Sequence, residues 1–204
     1  MIKKLFGLVA LLAFAALPAR SQGIEFSAGV NFSKLSGSVV SDAVRDAGKT
    51  FGIDLVIPIG PIGLNLGGSW SQKGVEQTID NAASIIDLTY IELPVHLRFP
   101  LVGAGPIRLN LILGPTLGIN TGCEITPDAG VAQDCTDLAG GFDAKGLEWS
   151  GTGGLGLSFR LGGLAYAGVE LTYAVGLTSV DEAAPQSLKN RTFTLAGHFG
   201  FDVF

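Results

Sequence analysis

The sequence predicts an all-β protein, an eight-stranded antiparallel up-and-down transmembrane β-barrel, on three observations. The segment from Tyr90 to Phe99 places Ile91, Leu93, Val95, Leu97 and Phe99 on one face and Glu92, His96 and Arg98 on the other, the period of two that a strand imposes. Of the 204 residues 47% are hydrophobic, 15% are charged and 30 are glycine, yet beyond the N-terminus no apolar run approaches the roughly 20 residues of a spanning helix. Such a chain builds either a large soluble β core or a closed barrel whose apolar residues face lipid. Finally, the connections between alternating segments are short and long in strict turn, which puts all short turns on one rim and all long loops on the other.

The elements follow in chain order. Residues 1–21 read as an export signal: Lys3 and Lys4 give the positive start, Leu5 to Leu17 the apolar stretch, and Ala19-Arg20-Ser21 a cleavage site before Gln22. The barrel domain is expected over 22–204, with strands near 24–35, 50–58, 62–72, 85–99, 107–119, 147–160, 164–176 and 192–204. Each shows the same alternation: Phe26, Val30 and Phe32 against Glu25, Ser27 and Asn31 in the first, and Phe193, Leu195, Phe199 and Phe201 against His198 and Asp202 in the last. Short connections fall at Pro58–Pro61, Pro100–Pro106 and Leu161–Gly163, and long polar ones at 36–49, 73–84, 120–146 and 177–191. An even strand count with this loop asymmetry suits bacterial outer-membrane barrels, with both termini on the periplasmic side.

Which face is outside decides the solvent. With the apolar face inward the chain would be a soluble, lipocalin-like lipid carrier. Few lysines and many glycines are unlike a solvated barrel wall, so the apolar face is expected outward, with rim aromatics forming girdles. Eight strands enclose only enough room for side chains, so a plugged lumen is expected and a narrow pore for small solutes is the alternative.

Loss of the signal removes Lys3, Lys4 and Arg20 from 13 basic residues, leaving 10 against 18 acidic ones, a formal charge of −8. Nucleic acid is excluded as a partner on that balance. Cys123 and Cys135, the two cysteines, share a polar stretch; an exported chain meets oxidising conditions, so they are read as a disulfide in preference to a metal site.

Glu92, His96, Arg98, Arg108, Arg160 and Glu170 are expected to point inward and fill the lumen as an ion-paired network, because buried charges need partners; a proton or ion path is the sharper alternative. The two histidines, His96 and His198, have no serine at a spacing resembling the lipid A deacylases, and no acidic pair resembles the outer-membrane proteases. No catalytic role, cofactor or metal is therefore assigned. Gly151-Thr152-Gly153-Gly154-Leu155-Gly156 has the glycine density of a phosphate loop but lies in a strand pattern, so it is read as small residues making room in a curved wall. The acidic loop residues Glu124, Asp128, Asp134, Asp137 and Asp143 lack EF-hand spacing and read as a solvated loop, or functionally as a partner-binding surface.

Taken in order, Gly29-Val30-Asn31-Phe32-Ser33, Ser71-Gln72-Lys73-Gly74, Tyr90-Ile91-Glu92-Leu93-Pro94, His96-Leu97-Arg98-Phe99, Gly114-Pro115-Thr116-Leu117-Gly118, Tyr173-Ala174-Val175-Gly176-Leu177, Lys189-Asn190-Arg191-Thr192 and the final Phe204 resemble the Bacteroidetes-type porin family, or PorT-like outer-membrane barrels. The resemblance spans nearly the whole mature chain. It departs at the end, where Phe199, Phe201 and Val203 keep one register and Phe204 falls on the other. It implies an integral outer-membrane protein in contact with outer-membrane lipid and, during biogenesis, with the barrel-assembly machinery. A monomeric, non-enzymatic structural or recognition role through extracellular loops is expected, with an unidentified extracellular or periplasmic protein as partner; a secretion or assembly accessory is the alternative that PorT-like kinship implies.

Overall fold

The alternation is realised as strands that close on themselves. The computed structural model describes residues 22–37, 44–79, 82–127, 131, 133–135, 145–180 and 188–203; the export signal at 1–21, Phe204 and the loop acids Asp128, Asp137 and Asp143 lie outside them. Eight strands form the wall: β1 (Gly23–Ser36), β2 (Val44–Ile59), β3 (Ile62–Ile79), β4 (Ala82–Ala104), β5 (Ile107–Pro127), β7 (Leu147–Gly162), β8 (Ala165–Gly176) and β9 (Lys189–Asp202), with a two-residue β6 (Gln133–Asp134) laid on β5. All pairings are antiparallel, β4 joins β5 and β1 joins β9, so each wall strand has a neighbour on both sides and the backbone of the wall is satisfied within the protein.

The faces fall as lipid immersion requires. Phe26, Phe51, Ile53, Leu93, Leu113, Trp149, Leu155, Val169, Leu171, Leu195 and Phe199 are exposed, whereas Glu25, Asn31, Asn65, Lys73, Arg98, Glu148, Asn190 and His198 are buried. This inversion of the usual inside and outside overturns the soluble carrier. On β9 the outward residues run from Phe193 to Val203, whose N–H continues the ladder to the Gln22 carbonyl at 2.6 Å. Ten rises of about 3.3 Å on a strand tilted by about 40° give an apolar band of about 25 Å. Aromatics edge it: Phe26 opposes Phe199 near the ends of the chain, and Phe32, Phe193 and Tyr173 are register neighbours toward the other end.

One rim is made of tight turns. Gly60, Gly105 and Gly163 hold left-handed φ of 62°, 58° and 54° there, which a residue without Cβ adopts at little cost. The opposite rim departs from the expected polar loops. Within the stretch 73–84, β3 and β4 stay laddered from Gly74↔Asp87 to Ile79↔Ala82, and β4 and β5 stay paired out to Ser84↔Pro127. Part of 36–49 likewise belongs to β2. Neighbouring backbone satisfies these segments whatever their side chains, so polar composition does not end a strand.

Along the extension the apolar phase reverses. At Thr89 and Tyr90 a bulge leaves Thr121 unmatched between Asn120 and Gly122, turning the residues beyond it over. Cys123 and Ile125 thereby join Ile86, Leu88, Tyr90 and Cys135 in a buried cluster. The Cys123–Cys135 disulfide, with Cα atoms 5.5 Å apart, clips β6 onto β5, which covers the β5 edge above its pairing with β7.

Candidate functional site

The chemistry-bearing side chains lie in the lumen and sort by height. Nearest the short turns, Arg98 on β4 reaches across the barrel. Its Nη1 donates to Glu25 Oε2 at 3.0 Å and its Nη2 to Glu25 Oε1 at 2.6 Å, while Nη2 also donates to Glu170 on β8. With its amide oxygen turned inward, Asn65 accepts from Nη2 and Nε at 2.9 and 3.1 Å. Asp54 lines the same space. His198 on β9 sets Nε2 3.2 Å from Ser158 Oγ and Nδ1 3.7 Å from Glu170 Oε1. Glycine makes the space: a Cβ on Gly168, the β8 partner of His198, would lie 2.6 Å from Nε2, and one on Gly156 would touch Glu170. Within the glycine run itself the tight position is Gly154, where a Cβ would collide with the Leu171 carbonyl oxygen, whereas Gly151 faces open space.

Higher in the lumen, Lys73 on β3 sits 2.8 Å from Glu92 Oε1 and 3.5 Å from Glu148 Oε2. Its ammonium lies 4.6 Å from the centre of the Tyr90 ring, and Asn190 Nδ2 donates to Glu148 at 2.8 Å. A polar belt separates the two ionic layers. Asn31 donates to Ser71 at 2.8 Å and accepts from Thr194 at 2.8 Å; His96 Nε2 lies 3.0 Å from Thr116, and Thr116 lies 3.2 Å from Thr152.

Two cavities follow from this layering. A chamber of about 120 Å³ lies within the belt, with Lys73, Glu92, Arg98 and Glu170 among its lining residues. A vestibule of about 570 Å³ opens at the short-turn end, lined by Arg98, Arg108, Ser158, Arg160 and Tyr166. Arg98 therefore stands between them. Above Lys73 the inward face becomes the apolar cluster of Ile86, Leu88, Tyr90 and Ile125.

The six residues expected to form one network are thus distributed. Arg98 and Glu170 are brought together, Glu92 belongs to the Lys73 layer, and His96 bonds to the belt threonine Thr116. Arg108 and Arg160 are not lumen-filling: both are exposed at the vestibule rim, with Arg160 Nη2 2.9 Å from Asp202. Near the turn the barrel opens to water, and a long side chain there needs no buried partner. Lys73 and Glu148 were missed because they fell outside or at the ends of the expected strands; continuing the alternation of Asn65, Ser69 and Ser71 to Lys73, and of Ser158 back to Glu148, finds both.

Chemically, Ser158, His198 and Glu170 stand in the order nucleophile, base, carboxylate, a contact no linear spacing revealed. The carboxylate is held by Arg98, and at 3.7 Å it makes no hydrogen bond to the imidazole. Ligand-type atoms of Glu25, Glu170 and His198 lie within 4.8 Å of one another.

Residues 18–182 match the family model described as the outer membrane protein beta-barrel domain. No curated relative matches the chain by sequence. Among solved structures it is similar to Neisserial surface protein A, with a TM-score of 0.53 at 12% identity over 88% of this chain and 96% of that one. It also matches Ail, the attachment invasion locus protein of Yersinia pestis in complex with the heparin analogue sucrose octasulfate, with a TM-score of 0.47 at 14% identity over 89% and 100%. The Escherichia coli outer membrane protease OmpT gives 0.45 at 9% identity over 91% and 98%. At these identities the likeness is one of fold.

Proposed function

Because the chain belongs to the family of outer membrane protein beta-barrel domains, we propose that it is a non-enzymatic integral protein of the bacterial outer membrane whose lumen is closed and whose strand extensions present a recognition surface. The closed lumen rests on the stack of obstructions along it: the Arg98 layer, the Lys73 layer and the apolar cluster under the disulfide-clipped arm. Buried, paired groups of this kind brace a wall and obstruct the passage of a solute. The non-enzymatic reading rests on Glu170, whose carboxylate is engaged by Arg98 and does not orient His198. The surface for a partner is the rim of extended hairpins, where β3, β4 and β5 run beyond the apolar band; PorT-like accessory function would use such a partner too.

Planar-bilayer recording of the refolded protein tests the closed lumen. No unitary conductance is expected; steady single-channel steps in wild type would overturn it and favour the second reading, a narrow pore, for which the two cavities on either side of Arg98 speak. Labelling of Ser158 by a fluorophosphonate would overturn the non-enzymatic assignment.

A further inference from the structure

We propose that Glu25, Glu170 and His198 form a divalent-metal site in the lower lumen. The first support is charge. Glu25 and Glu170 are paired with Arg98, the cation of this layer among the described residues, and Asp54 lines the same chamber. A divalent ion between Glu25 and Glu170 offsets the excess of carboxylates over the guanidinium that proton uptake would otherwise have to neutralise.

The second support is His198. The residue is 5% exposed, and its Nδ1 has no hydrogen-bond partner among the described residues while facing Glu170 Oε1 at 3.7 Å. A buried imidazole nitrogen without a partner is costly. Ser158 holds the other nitrogen, the arrangement that fixes the tautomer and aim of a metal-binding histidine. The donor atoms all lie within 4.8 Å of one another and draw together around an ion with bonds of about 2.1 Å. Each carboxylate has two oxygens and about four lone-pair directions, so Arg98 and a metal are held on the same groups together.

One imidazole with two carboxylates favours Zn²⁺, Co²⁺ or Mn²⁺ over the all-oxygen preferences of Ca²⁺ and Mg²⁺. Entry is from the vestibule, on whose wall Ser158 and Arg98 both lie.

The refolded full-length mature protein, freed of metal by chelator, is titrated with Co²⁺ followed by its d–d bands, and with Zn²⁺ followed by elemental analysis. One equivalent is expected per barrel. His198→Gln and Glu170→Gln are expected to weaken binding by roughly tenfold or more, whereas Arg98→Gln tightens it by removing a competing cation. Glu124→Gln on the acidic arm leaves it unchanged. Heat-modifiable gel mobility reports whether each variant has folded. Wild type that retains no equivalent, or His198→Gln that binds like wild type, overturns the site. Should a variant fail to fold, the wild-type Co²⁺ spectrum decides: bands of a nitrogen-ligated ion support the site and the spectrum of the aquated ion overturns it.

Discussion

The two ionic layers of the lumen solve the same problem with different cations. In the lower one Arg98 spreads a planar fork over both oxygens of Glu25 and reaches Glu170 and Asn65 as well, tying β4 to β1, β8 and β3. In the upper one Lys73 is a point charge with one close carboxylate at 2.8 Å, a looser one at 3.5 Å and an aromatic face. A guanidinium fixes several strands in one geometry, whereas an ammonium exchanges partners with little loss. The lower layer is therefore the rigid brace and the upper one the adjustable one, although both hold more carboxylates than cations.

Substitutions separate the two. Arg98→Ala should cost most, about 3–5 kcal/mol, because it strands Glu25 and Glu170 without a counter-charge; the temperature at which the folded gel band disappears is the measurement. Arg98→Lys should recover only part of that loss, since a single ammonium cannot fork; full recovery would erase the distinction drawn between the layers. Lys73→Met should cost about half as much as Arg98→Ala, because Glu92 is 17% exposed and takes up water when its partner goes. Reduction of Cys123–Cys135 should leave the heat-modifiable band in place while opening the Gln133–Cys135 arm to protease, an effect outside the lumen altogether. Ser158→Ala is the smallest, under about 1 kcal/mol; a larger loss would mean that the lower layer depends on how His198 is held.

Strand number, connectivity and the outward face were legible because one physical constraint, apolar side chains toward lipid at every second position, acts on every strand. The upper lumen was not, and β4 shows why. Below Ile91 its apolar residues face out, as in Leu93 and Val95; above it they face in, as in Tyr90, Leu88 and Ile86. The period is unchanged but the phase flips where the strand leaves the apolar band, so a pattern followed at constant phase stops there. Glu92 and Arg98 were recognised from the charged face, but their assignment to different layers depends on which strand lies across the barrel, and that is set by closure. The Ser158 to His198 contact joins positions 40 residues apart through the order β7, β8, β9, and no spacing rule encodes it.

Closure between β1 and β9 ties Gly23 to Asp202 and Ser36 to Lys189, so the first and last strands made are neighbours in the finished wall. Until the last strand is available the sheet has two open edges and an apolar outer surface, the state most prone to pairing with another chain. Contacts of large sequence separation are slow to form, and the β1–β9 pairing is of that kind. If that seam limits folding, joining Gly23 to Val203 through a short linker should speed refolding by raising the local concentration of one edge for the other, while leaving the hydrogen-bond ladder of the finished wall as it is.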